Sequence, residues 1–205
     1  RPGWFAPKGY SLTKEQLASP DVLTNHNHAP ATDDGRIVEK WSFRRSNYFP
    51  FVGEECRNVM SNVAIQDMSA FAKMEVSGPA AREWLEAILA NKVPKKMGRI
   101  ALCHLLTPRG GVRSEFTVYE WSPGRFYLVS AGAYERHDHD YLRKLCPTDG
   151  SVRLNPITTR FGVLVLAGPN SRKVLQKLTD ADLSNEAFPW LSGKEISVGN
   201  CTAHA

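Results

Sequence analysis

The segment VRSEFTVY, residues 112 to 119, sets an acid on what reads as a strand directly after a tight Gly110-Gly111 turn. Side chains alternate along a strand, so Arg113, Glu115, Thr117 and Tyr119 share one face and Val112, Ser114, Phe116 and Val118 the other. The first face is polar, and the paired glycines let a ligand ring or another backbone come close. A carboxylate held there can accept two hydrogen bonds from an aminopyrimidine-like edge, or take a proton from a ring nitrogen. Glu115 also has a plainer use, pairing with Arg113 or an exposed lysine on a wetted sheet face. Spacing alone leaves both open.

Other clusters offer less. His137, Asp138, His139 and Asp140 have metal-ligand chemistry, but neighbouring positions on a helix diverge and only pairs such as His137 with Asp140 or Tyr141 share a side. A solvated helix start is the expectation. Lys92, Lys95, Lys96 and Arg99 gather beyond an expected helix end, where positive charge complements the dipole, with an anion site as the alternative. His26 and His28 sit in an irregular stretch, either exposed or against a partner domain. The chain has no Gly-x-Ser-x-Gly elbow and no glycine-rich phosphate or dinucleotide loop, and no nucleophile announces itself.

The elements that must position these residues are marked by a repeated phrase. VSGPAAREWLEAIL at 76 to 89 is echoed by LAGPNSRKVLQKLT at 166 to 179, with Gly78 answering to Gly168, Pro79 to Pro169, Arg82 to Arg172 and Leu85 to Leu175. Each copy ends an apolar run at Gly-Pro and opens a helical period, with Pro suited to the first helical turn, where amides lack partners. Two related strand, turn and helix units, or a coincidence in a generic α+β chain, give the same pattern. Between the copies the pattern predicts strands at 99–106, 112–119 and 126–130 joined by TPRGG and WSPG turns, then a helix over 134–145. Before them come a helix at 52–61 and strands at 63–67 and 71–76. The first Gly-Pro helix should end near Asn91, with Trp84, Leu85, Ile88 and Leu89 on one face. A strand at 162–166 leads into the second Gly-Pro helix, and late strand structure near Glu195–Val198 has nothing after it to pair with. Such mixing of strands and helices predicts an α+β fold. Residues 1 to 35, rich in Pro, Asn, Asp and His, read as a connector with a short helix at Leu12–Leu17, and a short strand is expected at Trp41–Tyr48.

The chain has 205 residues, enough for one large domain or two small ones, and 42% hydrophobic against 23% charged residues, as in ordinary soluble proteins. No apolar run approaches the ~20 residues that span a bilayer, so no membrane partner is expected. A net charge of +5 favours anionic ligands but is too diffuse to point to nucleic acid. Cys56, Cys103, Cys146 and Cys201 lack the close spacing of a zinc or redox site, and reduced, packed thiols suit a bacterial cytoplasm or a mitochondrial matrix. Arg1 in RPGWFAPKGY and the final SVGNCTAHA read as cuts through a longer protein, with poor solubility or edge-to-edge dimers expected of the piece alone.

Several motifs in order carry a family resemblance. VAIQDMSAFAKMEVSGPAAREWLEAILANKVP, LLTPRGGVRSEFTVYEW, FYLVSAGAYERHDHDYL and VLVLAGPNSRKVLQKLTDADLSNEAFPW resemble the folate-binding domain of the aminomethyltransferase (glycine-cleavage T-protein) family over about residues 36 to 200. Glu in SEFTV, the LSNEAFPWLSGKEI stretch and the opening RPGWFAP lean toward the C-terminal region of the FAD-dependent dimethylglycine and sarcosine dehydrogenase branch. The resemblance implies a partial aminomethyltransferase-type fold, with two related strand-GlyPro-helix units around mixed or antiparallel sheets, and residues 36–205 as the first part of that domain. It implies tetrahydrofolate as cofactor, FAD on an upstream flavin domain reached through residues 1–35, and an N-methyl amine as substrate. The one-carbon unit would be captured as 5,10-methylenetetrahydrofolate. Glu115 matches the acid that binds or activates the folate amine, one methylene longer than the family's usual Asp. Leu106, Thr107, Tyr119 and Val129, adjacent to the matched motifs, would line the pterin pocket. A free-standing aminomethyltransferase and a binding module without catalysis share the same motifs.

Overall fold

The structure, a computed structural model, describes residues 10–11, 36–37, 43, 45 and 49–205. The expected helix at Leu12–Leu17 and the histidines His26 and His28 lie outside these residues, and of Trp41–Tyr48 only Phe43 and Arg45 are described, neither in a strand. In chain order the strands are β1 (Tyr10–Ser11), β2 (Arg36–Ile37), β3 (Ala64–Asp67), β4 (Ala72–Ser77), β5 (Ile100–Leu106), β6 (Val112–Ser122) and β7 (Arg125–Ser130). They continue as β8 (Arg153–Pro156), β9 (Leu164–Ala167), β10 (Glu195–Val198) and β11 (Cys201–His204). The α-helices are α1 (Phe49–Ser61), α2 (Ala81–Ile88), α3 (Glu135–Leu145) and α4 (Ser171–Leu175). Two compact units result, one containing Ile65–Val165 and Arg172–Ala205, the other containing Leu166–Ser171 and described residues up to Ala64. Among the described residues, no helix is long and apolar enough to cross a membrane.

The first unit is built on a five-stranded sheet in the order β5-β6-β7-β4-β8, antiparallel throughout. Its core face is the apolar half of each alternating strand: Met74 and Val76, Cys103 and Leu105, Phe116 and Val118, Phe126 and Leu128. Ala81, Trp84 and Leu85 of α2 and Leu142 of α3 close over that face, and the Trp84 indole N–H donates to Leu145 O at 2.8 Å. Helices gathered on one side of an antiparallel sheet make this the α+β arrangement that the residue pattern predicts, with antiparallel pairing wherever a register is described.

Both Gly-Pro corners take the same form, each within its own unit. At the first, Gly78 has φ +123°, and Ala80 N–H reaches Ser151 O at 3.2 Å. At the second, Gly168 has φ +117°, and Asn170 N–H reaches Asn62 O at 3.0 Å. A Cβ on Gly78 would stand 2.3 Å from Ser151 O, and one on Gly168 2.4 Å from Asn62 O. The repeated Gly is therefore a requirement of backbone touching backbone. Pro79 and Pro169 lie in the turn and not at a first helical position: α2 begins at Ala81, after Ala80 with non-helical φ −101° and ψ 9°, and α4 begins at Ser171.

Several expectations are corrected. Helix α2 stops at Ile88, short of Asn91, because Leu89 turns extended and bridges to Leu105 while Ala90 N–H bonds His104 O at 2.8 Å. Strand β8 emerges where no strand was expected; it is four residues long and ends in Pro156. The last strand is not left unpaired: β10 and β11 form a hairpin through Gly199, with Glu195 opposite His204 and Ile196 buried. All four cysteines are free, but only Cys103 is buried and Cys146 partly so, while Cys56 and Cys201 are exposed. Burial pushes the Cys103 thiol above its ordinary range, which suits a packed, unreactive group.

Candidate functional site

The sheet's second face, turned away from α2 and α3, gathers the candidate residues in cross-strand rows. The first row is His104 opposite Glu115, the second Leu102, Thr117, Val129 and Lys73, the third Ile100, Tyr119, Tyr127 and Glu75. Pairs directly opposite on antiparallel strands lie ~5 Å apart, so these rows form one continuous surface. From Ser114 onward the face assignments made from alternation hold, with Ser114, Phe116 and Val118 buried and Glu115 and Thr117 not. Before it they fail, because the register irregularity leaves Arg113 opposite no β5 residue and it turns to α3, while Val112 is exposed.

Glu115 stands at the open end of this surface. Its side chain is 57% exposed, and Oε2 lies 3.1 Å from His104 Nε2. The acid is therefore half in solvent and held by a histidine, not enclosed, and neither Arg113 nor a lysine is its partner. Arg113 instead stacks its guanidinium 3.7 Å above the Tyr141 ring and places Nη2 3.1 Å from His137 Nε2. Among the described residues the second carboxylate oxygen of Glu115 has no partner.

Of the other four residues expected around a ligand, three share the surface with Glu115. Val129 pairs with Thr117 on one side and Lys73 on the other, and Tyr119, nearly buried, pairs with Tyr127. Leu106 follows His104 on the exposed side of β5 and lies opposite Val112 at the end of the surface. Thr107 does not join them, because it closes the hairpin tip: its hydroxyl accepts Gly111 N–H at 3.1 Å and its carbonyl accepts Gly110 N–H at 2.9 Å. A turn that must satisfy its own backbone claims the hydroxyl that sequence offered to a ligand.

His104, Leu102, Thr117 and Tyr127 were not singled out from sequence. The signal was present in the TPRGG turn: with the hairpin tip there, alternation on both strands brings His104 to Glu115 and Leu102 to Thr117. Lys73 belongs to the middle row but offers no free cation to the face. Its ammonium donates to the carbonyls of Ser69 and Phe71, each at 2.8 Å, and burial pulls its pKa down against the opposing pull of Glu135 and Asp67.

The third row is rimmed by aromatic rings. Tyr127 lies 5.4 Å from Trp121 between ring centroids and 6.5 Å from Phe161, and burial pushes its phenol up to about 12. The folded protein then keeps a proton that the unfolded chain releases from about 10 upward. Stability should fall as pH climbs through that interval, because the unfolded state gains from ionising first. Tyr127→Phe is expected to flatten that alkaline decline, read as urea midpoints against pH; an unchanged slope would place the titration elsewhere.

On the opposite side of β6 the helix-start cluster is solvated at His137 and partly so at His139 and Asp140, but Asp138 departs from that expectation. Among the described residues, no group of three His, Cys, Asp or Glu side chains is placed to hold a metal ion. Asp138 is 2% exposed and accepts the hydroxyls of Ser114 at 2.6 Å and Ser130 at 2.9 Å. His137 and His139 point elsewhere, as adjacent helical positions must.

Comparison with known proteins places this surface in context. The model of the GCVT N-terminal domain family matches residues 3–205. Dimethylglycine dehydrogenase of Homo sapiens is 42% identical over 160 residues, covering 78% of this chain and 18% of that protein. An aminomethyltransferase of Listeria innocua is 30% identical over 141 residues, 68% of this chain and 38% of that one. The glycine cleavage system aminomethyltransferase T of Bartonella henselae superposes with a TM-score of 0.62 over 82% of this chain and 44% of that one, at 20% identity. The chain spans under a fifth of the human relative's length, 18%, and the fold likeness extends to less than half of the Bartonella structure.

Proposed function

The chain belongs to the aminomethyltransferase (GCVT N-terminal domain) family and is related to dimethylglycine dehydrogenase, and on that premise we propose that its open sheet face binds tetrahydrofolate for one-carbon capture. The observation that carries this reading is the Glu115 carboxylate beside Leu102, Thr117 and Val129, held by His104 through one oxygen and open at the other. A reduced pterin asks a protein for an acceptor along its N–H edge and for apolar surface against its ring faces. Glu115 meets the first need. Leu102, Thr117 and Val129 meet the second, with Tyr119 and Tyr127 beyond them, so the residues present fit the group.

Tetrahydrofolate supplies a nucleophilic amine that accepts the one-carbon unit. Glu115 would orient that amine and accept its proton, while the exposed Leu102 and the half-buried Val129 limit water around it. Residues 36–205 would form the first part of the folate domain and residues 1–35 the join to an upstream flavin domain, where an N-methyl amine is oxidised with FAD. The higher identity to the dehydrogenase than to the Listeria transferase favours this parent over a free-standing aminomethyltransferase. The human relative is named as mitochondrial, which supports a matrix location, or cytoplasm in a bacterium.

Titration calorimetry of the full-length protein with tetrahydrofolate tests the site. Glu115→Gln is expected to weaken binding roughly tenfold or more, the worth of a hydrogen bond to a charged group. An unchanged affinity together with an unchanged yield of 5,10-methylenetetrahydrofolate would remove Glu115 from the reading.

A further inference from the structure

Three polar side chains meet at the free edge of β5. Where α2 ends early, Ala90 N–H bonds His104 O at 2.8 Å, which lays Asn91 beside the strand. Asn91 Oδ1 then accepts the His104 backbone N–H at 3.0 Å and lies 3.2 Å from His104 Nδ1. A backbone amide can only donate, so the Asn91 atom facing it must be the oxygen. That oxygen is an acceptor, so Nδ1 must carry a proton. A neutral His104 would then present a bare lone pair at Nε2, and Nε2 faces Glu115 Oε2 at 3.1 Å. Two lone pairs do not make a contact of that length, and one proton has to lie between them.

We propose that Asn91, His104 and Glu115 form a proton relay in which Asn91 fixes His104 as the Nδ1–H form and His104 shares one proton with Glu115. His104 is a positioning residue, acting on the ligand only through the acid. The shared proton follows from the hydrogen-bond pattern alone; its use in one-carbon capture rests on the folate reading given above. In that use Glu115 takes a proton from the acceptor amine as the new N–C bond forms. An N–H bond breaks and an O–H bond forms at the open Oε1, while the shared proton settles on Nε2, leaving imidazolium beside a carboxylic acid. The other charged groups nearby are committed or distant in role: Arg113 to Tyr141 and His137, Glu86 to Arg82, while Lys92 is exposed on the loop beside Asn91.

Two measurements on the full-length protein test this. The first needs no folate: nitrogen-15 NMR of labelled histidine, followed from mildly acidic to mildly alkaline pH. His104 is expected to keep Nδ1 protonated throughout, whereas free neutral imidazole prefers the Nε2–H form, and Asn91→Leu should restore that ordinary preference. A neutral His104 found as Nε2–H in the unsubstituted protein overturns the relay. The second is the pH profile of one-carbon capture in His104→Gln, which keeps a donor toward Glu115 but cannot titrate. The relay predicts a flattened profile and a kcat lower by roughly tenfold or more, with KM for tetrahydrofolate nearly unchanged. An unaltered profile overturns the proton transfer. Failure of the folate reading would show differently, as unchanged tetrahydrofolate binding in Glu115→Gln with the His104 tautomer still as expected.

Discussion

Gly78→Ala is expected to remove about 3 kcal/mol or more of stability, among the largest effects a single methyl group can have. Two penalties act at once. At φ +123° an L side chain is strained whatever surrounds it, and the added Cβ would stand 2.3 Å from Ser151 O and 3.1 Å from its carbonyl carbon. Ser151 cannot simply retreat, because its carbonyl accepts Ala80 N–H and the next residue, Val152, is buried in the core from which β8 leaves. Relief would have to move β8 off β4 or rotate the start of α2. The latter would also shift the far end of α2, which brings Asn91 to His104. Gly150→Ala provides the control: φ is +79° but nothing lies within 4 Å of its added Cβ, so strain of about 1 kcal/mol is all that is expected. Urea unfolding of both variants beside the parent protein reads the difference, and equal losses at the two positions would refute the collision.

That corner was also the most legible part of the sequence, and the reason is physical. A strand that must end with backbone touching backbone admits only glycine, so Gly78 and Gly168 stand out in a single chain, as do the apolar periods on either side of them. Alternation was equally readable from Ser114 onward, since only one face of β6 could pack under α2 and α3, whereas the irregularity that turns Arg113 toward α3 carries no local sign. The residues that complete the candidate site were hidden by two effects. Helical period runs through Leu89, so nothing local shows that Leu89 leaves α2 to bridge Leu105, and Asn91 read as a terminator when it is a ligand of His104. Thr107 offers the same hydroxyl to a pterin or to its own turn, and the choice depends on hydrogen bonds that exist only once the hairpin closes. Short β8 was missed because four residues ending in proline carry too little pattern. Asp138 was misread because its neighbours are polar; its burial is imposed by two serines that are distant in sequence from one another and become adjacent only across β6 and β7.

Those serines make Asp138→Ala the second large effect, a loss of about 3 kcal/mol. Asp138 carries both strands on one carboxylate, with Ser114 of β6 on Oδ1 and Ser130 of β7 on Oδ2, in a place where no water competes. Truncation leaves two buried hydroxyls without an acceptor and a gap where the side chain stood, and both terms destabilise. Ser114→Ala and Ser130→Ala should each cost about 1–2 kcal/mol alone, yet very little once Asp138 is already Ala, because the partner is gone. That non-additivity, measured as a double-mutant cycle by urea unfolding, is the signature; strictly additive losses would mean that the serines and the acid act separately. The consequence reaches the other face of the sheet. Ser114 and Glu115 are consecutive on β6 and point in opposite directions, so pinning the serine to α3 fixes the height and tilt of the strand at the acid. Asp138→Asn keeps the shape but not the charge and should lose less stability than Ala. If the folded Asn variant also binds tetrahydrofolate more weakly, the buried carboxylate is part of what aims Glu115, and an undiminished affinity would confine its role to folding.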